Sequence, residues 1–115
     1  MSVNQIEPFQ GYLGPPPTSL TQEVMIIEDR AYRIHKVVVH EFSMGDVDDV
    51  EIYAAQPIWE WQQTEQGQWI MDKAIESPTW FRHNDAVTWG HRFKIVAKLK
   101  DRDYTFYQLK WGNGR

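Results

Sequence analysis

The sequence predicts an α+β fold: mainly an antiparallel β-sheet of five or six strands, with one short helix and an extended N-terminal arm. Three observations carry this reading. From Glu23 onward, short runs rich in β-branched and aromatic residues recur between polar turns. The stretch from Arg92 to Arg102 alternates charged and apolar residues with the period of two that marks a half-buried strand. Before both stands Pro15, Pro16 and Pro17, a triplet that favours an extended conformation and does not join a sheet interior.

Residues 1–22 therefore read as a Pro-rich arm, and residues 23–115 as a single antiparallel β-rich domain. Val24 to Ile27 and Tyr32 to Phe42 are β-prone runs divided by Glu28, Asp29 and Arg30, which predicts a hairpin. Val50 to Ala54 alternates as a further strand, and Pro57 demotes Ile58 to Gln62 to an edge or kinked continuation. Thr64 to Ala74 is the helix candidate: Thr64 can cap, Glu65 suits the positive end of the dipole, and Ile70 and Ala74 share a face beside Trp69. Gly67 weakens it, and a second hairpin turning at Gln66 and Gly67 is the competing reading. Pro78 to Arg82 reads as a short strand. His91 to Lys100, a turn at Asp101, Arg102 and Asp103, and Tyr104 to Trp111 read as a closing hairpin.

Composition narrows the chemistry. The chain has 115 residues, enough for one core without staples, and no cysteine, which excludes disulfides, thiolate catalysis and thiolate zinc sites. Met1 to Gln10 lacks a basic start and an apolar stretch, and no apolar run reaches the length of a membrane span. A soluble protein of the cytoplasm is the expectation, with no membrane partner.

Charge is segregated along the chain. Residues 41–65 carry seven acids (Glu41, Asp46, Asp48, Asp49, Glu51, Glu60, Glu65) and no Lys or Arg. Residues 86–115 carry seven bases (Arg92, Lys94, Lys98, Lys100, Arg102, Lys110, Arg115) against Asp101 and Asp103. Acidic and basic strands pairing across one sheet account for this structurally. The functional reading is a basic strip, Arg92, Lys94, Lys98, Lys100 and Arg102, that holds an anion or nucleic acid. Aromatic residues beside lysines on a sheet face suit single strands; either Tyr104 and Phe106 or Tyr107 and Trp111 share that face, depending on the turn. The net charge of −4 opposes a nucleic-acid role.

Six tryptophans need core or interface positions. Trp59 and Trp61 point to one face of the expected strand, beside Pro57 at a sheet edge, where they suit a protein contact. His83, Asp85 and His91 lie close enough to hold a metal if their strands are adjacent, yet no metal-site spacing supports it. His35 and His40 fall on opposite faces by parity unless a bulge intervenes. No phosphate loop, nucleophile elbow or dinucleotide fingerprint occurs, so no catalytic residue, metal, cofactor or small-molecule substrate is assigned.

The stretches WEWQQTEQGQWIMDKA (Trp59 to Ala74), PTWFRHND (Pro78 to Asp85) and YTFYQLKW (Tyr104 to Trp111) resemble small proteins encoded by tailed bacteriophages. That resemblance spans about the last two thirds of the chain. It implies a context, host cytoplasm or virion, in which short cysteine-free chains act by binding a host or virion protein, and it carries no ligand or catalytic residue. The expected function is a non-enzymatic protein-binding module, a phage accessory or virion component, with Pro15, Pro16, Pro17, Trp59 and Trp61 as contacts. The partner is a host or virion protein or a second copy of the chain. The alternative is a nucleic-acid-binding domain using the basic strand.

Overall fold

A computed structural model describes residues 10–14, 23–45, 48–85 and 90–112. Strands β1 (Gln10–Leu13), β2 (Glu23–Ile27) and β3 (Arg30–Met44) come first, followed by helices α1 (Val50–Gln63) and α2 (Glu65–Lys73). Strands β4 (Thr79–Asp85) and β5 (Gly90–Lys100) then lead into helix α3 (Asp101–Tyr107), which continues as a π-helical turn over Gln108–Gly112. The five strands form one sheet in the order β1-β4-β5-β3-β2.

The α+β class and the antiparallel-rich sheet agree with the sequence. The sheet is nevertheless mixed, because β1 runs parallel to β4 while the other three pairings are antiparallel. Within the stretch read as an arm, Gln10–Leu13 thus holds one edge of the sheet. Gly11 makes this possible: a Cβ there would collide with the Trp80 indole over which β1 lies. Pro15, Pro16 and Pro17 lie outside the described residues.

The hairpin of β2 and β3 forms where expected. Glu28 and Asp29 take positive φ angles of 51° and 67° and make a two-residue turn whose twist matches the flanking strands. The alternation of β5 is also as read: Phe93, Ile95, Ala97 and Leu99 are buried, and the cationic positions between them are half-buried. Helix α2 matches its signals, since the Thr64 hydroxyl accepts the Gly67 N–H at 2.9 Å, Glu65 lies in the first turn and Lys73 in the last.

Helices number three among the described residues, not one, and three expected strands are helical. Val50 to Ala54 and Ile58 to Gln62 are parts of α1, with Pro57 inside it. Val50, Ala54, Ile58 and Trp61 recur at helical spacing and are its buried apolar residues. The strand-like alternation arose because Ile52 and Trp59 put apolar side chains on the solvent side as well. Pro57 removes the bond to the Tyr53 carbonyl, and these four apolar residues hold both halves of the helix on the sheet.

Tyr104 to Trp111 is helical too, so the hairpin register does not arise. Asp101 and Asp103 occupy the first turn of α3, where carboxylates favour the helix dipole. Tyr104, Tyr107 and Trp111 are spaced three and four apart and pack against the core. That core lies on one face of the sheet, between β3, β4 and β5 and the three helices, around Phe93, Ile95, Leu99, Trp61, Ile70 and Trp80.

A register shift between Val38 and His40 against β5 inserts Val39 as an extra residue. His35 pairs with Leu99 and His40 with Ile95, so both imidazoles point to the helix-covered face. They meet different helices. His35 stacks on Tyr104 at 4.1 Å and bonds Asp101 at 2.6 Å, while His40 stacks on Trp61 at 5.7 Å.

Burial pushes the His40 pKa below its ordinary value, with neighbouring Glu41 acting in the opposite direction. In the unfolded chain the imidazole takes up its proton near about pH 6.5, so below that pH the unfolded state binds more protons than the folded one. The stability held above the unfolded pKa is therefore lost as pH falls toward the folded value. The urea midpoint should drop between about pH 7.5 and about pH 5.5, and His40→Gln should shrink that drop. An unchanged drop in the variant would place the titration elsewhere.

Candidate functional site

Turning α1 into a helix separates the two tryptophans read as one contact. Residues two apart on a helix lie on different sides. Trp61 is 4% exposed and packed on His40, whereas Trp59 is 39% exposed. The residues that share the outward side with Trp59 are Ile52, 70% exposed, and Tyr53, 59% exposed. Ile52, Gln56, Trp59 and Gln63 follow a spacing of four, three and four, which is the signal in the sequence for this face.

Acids surround it. Asp48, Asp49, Glu51, Glu60 and Glu65 stand on or beside α1. Glu51 pairs with Arg82 at 3.6 Å and Glu65 with Lys110 at 2.7 Å. Glu60 accepts a bond from Gln56, and Asp48, Asp49 and Glu60 have no cationic partner among the described residues. The surface thus combines three exposed apolar side chains with uncompensated negative charge.

The basic strip lies on the sheet face away from the helices. Arg92 bonds Glu41 at 2.9 Å, and Lys98 sits between Glu76 at 3.0 Å and Glu23 at 3.4 Å. The hydrogen bond that Lys98 donates to Glu76 is the main cause that raises the Lys98 pKa, assisted by the charges of Glu76 and Glu23 against the cost of burial. Lys100 lies 4.4 Å from the Tyr32 ring centre. Arg102 belongs to α3 and not to the strand. Lys36 and Lys94 have no carboxylate partner among the described residues. Beside them a concavity of about 390 Å³ is lined by Tyr12, Phe81, Lys36, Thr79, Val96 and Lys98, with Tyr12 stacked on Phe81 at 5.4 Å.

The histidines do not converge. In the pairing of β4 with β5, His83 faces Arg92 and Asn84 faces His91, so His83 and His91 occupy opposite faces of the sheet. Among the described residues no three His, Asp or Glu side chains are placed to hold a metal ion. No helix among them is long and apolar enough to cross a membrane. Compared with known families, curated proteins and solved structures, the chain matches no family model, no curated sequence and no solved fold.

Proposed function

We propose that this chain is a protein-binding module whose docking surface is the outward side of α1, and that its partner presents an apolar patch rimmed by basic residues. The exposure of Ile52, Tyr53 and Trp59 on one helical side carries this reading. Clustered exposed apolar side chains mark contact sites more often than scattered ones do, and tryptophan is enriched among residues that dominate binding energy. The acids around α1 select for positive charge and speed encounter. The resemblance to phage-encoded proteins puts a host or virion protein first among partners. Trp61 now serves the core.

Trp59→Ala is expected to weaken capture of a basic partner from a bacterial lysate by about tenfold or more, the scale of a binding hot spot. The triple change of Ile52, Tyr53 and Trp59 to serine should abolish it without altering the melting curve. Changing Asp48, Asp49 and Glu60 to their amides should weaken it and flatten its salt dependence. Undiminished capture by the folded triple variant would defeat the proposal.

A second reading places single-stranded nucleic acid on the opposite sheet face, favoured by Lys36 and Lys94 beside Tyr12 and Phe81. Against it, Arg92 and Lys98 already hold carboxylates. Steeply salt-dependent retention of single-stranded DNA, lost on changing Lys36 and Lys94 to glutamine, would promote it.

A further inference from the structure

Strand β2 is an outermost strand of the sheet, paired with β3 on one side only. Its turn fixes which of its backbone groups look outward. With a two-residue turn at Glu28 and Asp29, Ile27 and Arg30 form the closing hydrogen-bonded pair, and the ladder then alternates. Met25 and Glu23 therefore bond β3, while the N–H and C=O groups of Val24 and Ile26 point away from it. The side chains at those same positions are 66% and 69% exposed.

Edge strands are ordinarily blunted by lysine, proline, a bulge or a covering element. The run Glu23–Ile27 has none of the first three within it, and among the described residues no element covers Val24 and Ile26, which stay exposed. The other edge differs: β1 is four residues long and contains Gly11.

We infer that β2 pairs antiparallel with β2 of a second copy of this chain, about a two-fold axis through Met25, joining two five-stranded sheets into one of ten strands. The outward groups select this register. Val24 of one copy must exchange both backbone hydrogen bonds with Ile26 of the other, and the reverse, which makes four bonds and leaves Met25 facing Met25 of the other copy as a non-hydrogen-bonded pair. The contact is self-complementary, as a two-fold interface requires. On the helix side of the sheet, Val24 and Ile26 cover one another across the axis.

Charge agrees with the same register. Cross-strand neighbours place Glu23 of one copy in the row Glu23, Ile27, Arg30, whose last two members belong to the second copy, because Ile27 pairs with Arg30 within each hairpin. Arg30 has no carboxylate partner among the described residues of its own chain. Glu23, bound on its other side by Lys98, is the carboxylate that this row brings toward it. The second copy thus offers Arg30 a countercharge with which no described residue of its own chain pairs it. This surface is separate from the α1 side, so the two readings fail independently.

The chain lacks cysteine, which makes a single introduced thiol decisive. In a non-hydrogen-bonded antiparallel pair the Cα atoms are about 4.5 Å apart, within the span of a disulfide. Oxidised Met25→Cys should give a covalent dimer, whereas Val24→Cys and Ile26→Cys, each opposite a different residue, should cross-link at least tenfold more slowly. Sedimentation equilibrium at high micromolar concentration should show the wild type at twice its 13.6 kDa mass. Ile26→Pro removes only an outward N–H and should weaken self-association at least tenfold with an unchanged melt. The pair Val24→Lys with Ile26→Lys should do the same if the proline variant fails to fold. A monomeric wild type, a lysine variant that dimerises as well as the wild type, or faster cross-linking at position 24 or 26 than at 25 would each overturn the inference.

Discussion

Ile95→Ala is expected to lower the unfolding free energy by about 2–5 kcal/mol, the range for truncating a fully buried isoleucine in a core that relaxes only partly. Ile95 is fully buried in β5, the middle strand of the sheet, with Trp80 of β4 and His40 of β3 directly opposite it. Its side chain belongs to the cluster that holds the three helices on the sheet, so the void left by alanine has walls on both layers. Lys94, one residue earlier, points to the other face and carries no carboxylate partner among the described residues. Lys94→Ala should change stability by no more than about 0.5 kcal/mol. Urea titrations at one pH measure both. Small and equal losses would mean that the buried face of β5 has been misassigned. Lys98 is a poorer control because it sits between Glu23 and Glu76.

The elements that sequence revealed are those whose two sides differ. Strand β5 was legible because every odd position from Phe93 to Leu99 is apolar and all but one of the even positions are cationic. The hairpin of β2 and β3 was legible from a polar interruption between β-branched runs, and α2 from Thr64 followed by Glu65. Helix α1 was not, because Ile52, Tyr53 and Trp59 give it an apolar exterior and so erase the contrast on which periodicity depends. The property that hid the helix is the one that makes its surface a docking candidate. Trp59 and Trp61 share a face only if their segment is a strand, since two-residue spacing joins side chains on a strand and separates them on a helix.

Three other differences depend on how elements meet more than on local signals. Asp101 and Asp103 suit a turn and the first turn of a helix equally, and only the spacing of Tyr104, Tyr107 and Trp111 separates the two. The parallel pairing of β1 with β4 joins residues about seventy positions apart, Gln10 with Thr79, and the four residues of β1 carry no periodic signature of their own. The bulge at Val39 likewise follows from how β3 meets β5. It brings His40 onto Trp61, a contact that parity alone forbids.

Gly67→Ala should be destabilising by about 1–3 kcal/mol, the scale of overpacking, although the same change inside most helices stabilises by about 0.5–1 kcal/mol. The reversal comes from the junction of α1 and α2. Gly67 is buried in the first turn of α2, and a Cβ on it would run into the Trp61 carbonyl oxygen, with the Trp61 carbonyl carbon at 2.8 Å and the Gln62 Cα at 2.9 Å. All three obstacles are backbone, so no side chain can swing aside. Relief requires α2 to move away from α1, and both ends of that motion are anchored: Trp61 and Ile70 are buried in the common core. The Gly67 N–H also donates to the Thr64 hydroxyl at 2.9 Å, so the displacement would strain the cap that starts α2. Gln68→Ala, at an exposed position one residue later, supplies the control and should be within about 0.5 kcal/mol of the wild type. If Gly67→Ala instead raised the melting temperature, the close approach of the two helices would be refuted. The glycine would then be an ordinary helix-weakening residue, as its position in the sequence first suggested.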